Sequence, residues 1–166
     1  MSNNQFKRGE LYSVINGVAS TAVARRLQKN FRNAGLEITI EQWSILYHLW
    51  KEDGLSQQEL CTRTFRDKAS ITRLIDNIEK LGLVERIASK DDRRVNMVYL
   101  TDAAKPLQEA TYNIANQTMN EALQGISKEE IEIVKSVFQR VYENSKLLNY
   151  ILWQQQSKVE NGSLKK

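Results

Sequence analysis

The sequence predicts a mainly α-helical protein carrying one small β-hairpin, and three observations predict it. Helix-start signals of the form S/T-x-x-E/Q recur at Thr39 with Gln42, Ser56 with Glu59 and Ser127 with Glu130. Apolar residues between these signals repeat at helical spacing. One interval, residues 83–100, turns instead to Val-, Ile- and Tyr-rich composition around a charged tip.

Taken in order, Leu11, Ile15, Val18 and Ala22 repeat along a first long helix from Arg8 to about Asn33, with Leu27 and Phe31 continuing the apolar surface. Thr39 and Gln42 open a second helix through Trp43, Leu46, Leu49 and Trp50, ending near Asp53 and Gly54. Ser56 and Glu59 start a third, through Gln58, Leu60 and Cys61, that fades near Phe65. Asp67 then caps a fourth, which ends at Gly82, a residue suited to the left-handed position after a helix. Ile71, Leu74, Ile75 and Ile78 form its buried stripe. The opposite arc is Lys68, Ser70, Thr72, Arg73, Asp76, Asn77 and Lys80. That arc is polar and basic, with donors for phosphates and base edges. By itself it reads first as a solvated helix face, which is how most polar helix faces end up; the hairpin that follows changes that reading.

Leu83 to Ile87 and Val95 to Leu100 read as strands, and the six residues from Ser89 to Arg94 between them are too charged to pack. A helix-turn-helix followed at once by a basic-tipped hairpin is a winged helix, an arrangement whose second helix enters the DNA major groove. Beyond it, Thr101 or Asp102 starts a long helix towards Gly125. Pro106 near its beginning costs little, because the first helical amides have no intrahelical partner. Ser127 and Glu130 open a last helix carrying Ile131, Val134, Phe138 and Val141 and running on through Leu147, Leu148, Ile151 and Leu152. A polar tail, expected to fray, begins at Gln154.

Residues 39–101 resemble the MarR (multiple antibiotic resistance regulator) family of winged-helix transcription regulators. The resemblance rests on Leu60 followed by a small residue, on the run from Ile71 to Asp76, on the run from Leu81 to Arg86, and on Asp92-Arg93-Arg94 ahead of Leu100-Thr101. The wing D-x-R before a strand ending in L-T is the most specific piece, since many winged helices share the rest. Ala104 stands where members often have Gly, a matter of local packing. The resemblance implies that Ser70, Thr72, Arg73 and Asn77 read operator bases. It implies that Arg94 enters the minor groove, oriented by a charge-assisted hydrogen bond that it donates to Asp92, and that Lys68, Lys90 and Arg93 contact phosphates.

The expected architecture is therefore a winged helix-turn-helix with long N- and C-terminal dimerisation helices. Residues 1–38 form the first of these, 39–101 the DNA-binding lobe, 102–153 the C-terminal dimerisation helices and 154–166 a flexible tail. The terminal helices exceed what one winged helix needs, and a second copy of the chain is the economical partner for their apolar stripes. A two-fold homodimer would set the recognition helices about 34–36 Å apart on a pseudo-palindromic double-stranded operator.

Composition agrees with a nucleic-acid partner. The 166 residues carry a net charge of +4, and residues 63–94 hold nine basic against six acidic side chains. The polar N-terminus and the lack of a long apolar run argue against a signal peptide or membrane span, so cytoplasm is the expected compartment. Catalysis lacks parts. His48 is the sole histidine, no Gly-rich phosphate loop or nucleophile motif is present, and no metal or cofactor is expected. Cys61, in the small position after Leu60, reads as a buried structural thiol.

The family resemblance also implies a crevice for a small aromatic or phenolic effector, for which Trp43, Tyr47 and His48 on the second helix are candidates. Core packing explains Trp43 and Trp50 equally well. Two functions stand at this point. One is a dimeric, ligand-responsive repressor. The other is a winged-helix module for protein–protein assembly without DNA binding.

Overall fold

The computed structural model describes the backbone of residues 17–163 and the side-chain surroundings of residues 17–145. They divide into two compact units between Ala122 and Leu123. The first contains helices α1 (Val18–Asn33) and α2 (Ile40–Lys51), strand β1 (Leu55–Ser56), helices α3 (Gln57–Thr64) and α4 (Lys68–Lys80), and strands β2 (Val84–Ala88) and β3 (Asn96–Leu100). A 3-10 turn (Asp102–Ala104) then leads into α5 (Lys105–Ala122). The second unit is built on α6 (Lys128–Ser163). Leu11 and Ile15, assigned to the first helix by the sequence, lie outside the described residues.

The cap signals are realised atom by atom. Thr39 Oγ1 accepts the Gln42 amide at 3.2 Å, and Gln42 Oε1 accepts the Thr39 amide at 2.8 Å. The same reciprocal pair forms between Ser56 and Glu59, and in the second unit between Ser127 and Glu130. Each satisfies donors that the first helical turn would otherwise leave bare. Asp67 Oδ1 accepts the Ser70 amide at 2.8 Å and so starts α4, and Gly82 follows its end at φ +70°.

The core lies between α2, α4 and the sheet. Ile71, Ile75 and Ile78 of α4 face Ile45, Leu46 and Leu49 of α2, closed by Leu60, Val84 and Val98. Cys61 is buried in the same cluster, the setting expected of a structural thiol. Ala104 is fully buried, and its carbonyl accepts the Trp50 indole N–H at 3.3 Å. Helix α5 docks on α1, where Asn30 Nδ2 donates to the buried Thr118 hydroxyl at 2.9 Å. Leu27 and Phe31 are the buried part of α1, whereas Val18 and Ala22, expected on the same apolar face, are exposed.

Two features depart from the sequence reading. Leu55 and Ser56 form β1, pairing antiparallel with Val98 and Met97 in a sheet of order β1-β3-β2. Two residues are too few to show alternation, so only the proximity of β3 reveals the strand. Helix α6 continues to Ser163, past Gln154, where the polar tail was expected to fray.

Candidate nucleic-acid interface

Helix α4 is amphipathic in the sense the interface requires. Its isoleucines are sunk in the core, so the arc holding Lys68, Arg73 and Asn77 faces outward. Arg73 and Asn77 lie one turn apart, and no other group among the described residues engages either side chain. Ser70 and Thr72 are half-buried and already bonded. The Ser70 hydroxyl donates to Asp67 Oδ2 at 2.7 Å, and the Thr72 hydroxyl donates to the Lys68 carbonyl at 2.8 Å. Of the four sequence-predicted base readers, Arg73 and Asn77 are therefore the two poised for a new partner. The hydroxyl bond at Asp67 holds its carboxyl below the usual range, so the cap stays ionised at neutral pH.

The wing is β2 and β3 joined by a closed loop. The Ser89 amide donates to the Val95 carbonyl at 2.8 Å and the Val95 amide to the Asp92 carbonyl at 2.9 Å. Lys90, Asp92, Arg93 and Arg94 are all exposed there. Asp92 does reach Arg94, through the backbone: its Oδ1 accepts the Arg94 amide at 2.9 Å. Among the described contacts the carboxylate therefore shapes the tip and does not hold the guanidinium.

Folding brings the two halves of the motif together. Lys68 at the start of α4 and Arg94 on the wing line one cleft of about 140 Å³ with Ser56, Gln57, Gln58, Val95 and Asn96. The cleft also takes in the N-terminus of α3, so backbone amides and two cations share one face, a composition that suits phosphate.

A charged residue that sequence reasoning left without a role sits behind this face. In the β2–β3 register Arg86 stands opposite the buried Val98, on the inward side of the hairpin. Its guanidinium spans two carboxylates of α4, Asp76 Oδ1 at 2.5 Å and Glu79 Oε2. It also donates to the Thr72 carbonyl at 3.4 Å, and its amide donates to Glu79 Oε1 at 3.3 Å. The available signal was positional: an arginine on the core-facing register of a strand has to be paired.

The effector candidates gather in a ring cluster. Trp43 lies 5.6 Å from Tyr47, and Tyr47 lies 5.6 Å from His48 and 5.7 Å from Tyr112, centroid to centroid. Phe31 meets Trp43 edge-on and Lys51 Nζ sits 4.3 Å above the Tyr47 ring. The Trp43 indole N–H is buried with no acceptor among the described residues. Burial, then Arg63 and Lys51, hold His48 below its ordinary pKa, so the imidazole is neutral at pH 7.

Residues 35–95 match the sequence model of the MarR family. That stretch is similar to the winged helix of the MarR family. Solved structures extend the likeness over most of the chain. The transcriptional regulator PA3341 has a TM-score of 0.70 at 29% identity, covering 81% of this chain and 98% of that one. A probable transcriptional regulator from Pseudomonas aeruginosa has a TM-score of 0.65 at 28% identity, covering 75% and 95%. A mutant MarR from E. coli, solved with operator DNA, shares the fold with a TM-score of 0.70 at 22% identity, covering 80% and 91%. Among the described residues, no helix is long and apolar enough to cross a membrane.

Proposed function

We propose that this chain is a cytoplasmic, homodimeric transcription repressor that binds a pseudo-palindromic double-stranded operator and releases it to a small aromatic or phenolic effector. The convergence of Lys68 and Arg94 on one cleft beside the exposed Arg73 and Asn77 carries the proposal. Arg73 and Asn77 read bases with Ser70 and Thr72 at the margin of the groove. Arg94 enters the minor groove from a tip that Asp92 shapes, and Lys68, Lys90 and Arg93 hold phosphates. The exposed Val134, Val137 and Phe138 of α6 supply an apolar stripe for a second copy. Trp43, Tyr47 and His48, with an indole N–H that lacks an acceptor among the described residues, suit an aromatic acid whose carboxylate would take that donor.

The deciding measurement is binding to the promoter DNA upstream of its own gene across a salt series. Binding should weaken steeply with salt, with Arg73→Ala and Arg94→Ala both losing affinity and Arg94→Ala lowering the log–log slope by about one unit. Undetectable DNA binding at low salt would sink the repressor and favour the assembly module. Titrating a hydroxybenzoate into the complex tests the effector. Operator affinity unchanged at saturation rules out release by this ligand.

A further inference from the structure

Thr72, Asp76 and Glu79 fall on one stripe of α4, at spacings of four and three residues, immediately beside the outward stripe of Arg73, Asn77 and Lys80. Arg86 of β2 covers that first stripe at all three levels, through the Thr72 carbonyl and the Asp76 and Glu79 carboxylates. Its side chain is 18% exposed, against 45% and 40% for Asp76 and Glu79, so it is a partly desolvated bidentate hub. Nothing else among the described side-chain bonds or ion pairs joins α4 to the wing hairpin. The same pairing turns two carboxylates on the reading helix toward the wing strand, where they share one positive charge.

We propose that Arg86 is a positioning residue for DNA recognition: it sets the wing at one angle to α4, so that Arg94 and the Arg73/Asn77 face engage one duplex together. A lysine cannot replace it in full, because a point-charge ammonium cannot fork across two carboxylates. This inference rests on the DNA-binding reading above.

A double-mutant cycle between Arg86 and Arg94 tests it, since no bond joins their side chains. With the wild-type protein binding its promoter DNA, Arg86→Gln should lose about tenfold in affinity or more. Its salt slope should fall as in Arg94→Ala, although Arg86 itself faces the helix. In the Arg94→Ala background the same Arg86→Gln change should cost only a few-fold, because the wing contact is already gone. A role in stability alone predicts that the two losses multiply. Independent losses, or an Arg86→Gln protein that binds as tightly as wild type, overturn the proposal. Should Arg86→Gln fail to fold, the cycle is read on Arg86→Lys, with the same non-additivity expected at smaller amplitude and additivity again overturning it. If the wild-type protein binds no DNA, the repressor reading falls and takes this inference with it. Wild-type binding with additive losses removes this inference alone.

Discussion

Gly54 shows how a single residue carries the frame of the site. It sits at φ +72°, and a Cβ there would lie 2.5 Å from Cε1 of Tyr99 on β3. Beside it, Asp53 Oδ1 accepts both the Gly54 amide and the Leu100 amide, tying the end of α2 to the base of the wing. Gly54→Ala should therefore destabilise by at least about 1–2 kcal/mol from the left-handed backbone alone, measured by urea denaturation. An unchanged midpoint would mean that Tyr99 yields freely. His48 makes a second prediction. Its pKa is held below 6.5 in the folded protein, so the unfolded chain takes up the proton first on acidification. Stability should be full above 6.5, decline as pH falls below it, and level once folded His48 is protonated too. His48→Gln should flatten that decline between ~pH 7.5 and ~pH 5.5, where carboxylates titrate little. A decline of equal size in the variant would assign it to another group.

Among the elements, α3 depends most on its cap. With eight residues it is far below the length at which a helix persists on its own, and Leu60 and Cys61 are its only buried residues. Ser56→Ala removes the acceptor for the Glu59 amide and should cost about 1 kcal/mol. Loss of less than ~0.3 kcal/mol would show that packing alone holds the helix. The boundaries of α3 and α4 were legible because caps and glycines act on their own neighbours. Phe65 was legible as an end and not as a conformation: it takes φ +57° at the close of α3, where glycine is the easy occupant. Strand β1 and the Arg86 pairing were illegible for one reason. Both depend on residues more than six positions away in sequence meeting across the fold.

For the whole molecule, the open question is what covers α6. Ile133, Val134, Val137 and Phe138 are each 41–63% exposed, a run that a second copy of the chain would bury. Light scattering at micromolar concentration should return twice 19.2 kDa, and Val134→Glu or Phe138→Glu should shift the mass toward 19.2 kDa and weaken operator binding together. A wild-type mass of 19.2 kDa removes the dimer. The chain alone disclosed the helices, their caps, the isoleucine stripe of α4 and the charged wing tip, because each follows from side chains within a turn or two of one another. It also marked Lys68, Arg73, Asn77 and Arg94 as available charge and hydrogen-bonding capacity. Which of those groups share a surface was decided by packing. Val98 beneath the sheet and the isoleucines beneath α4 fix the distance between helix and hairpin, and that distance puts Lys68 and Arg94 in one cleft. The same packing turned Arg86 inward onto Asp76 and Glu79 and left Arg73 outward, a distinction between two like charges that neither residue's own neighbours in sequence express.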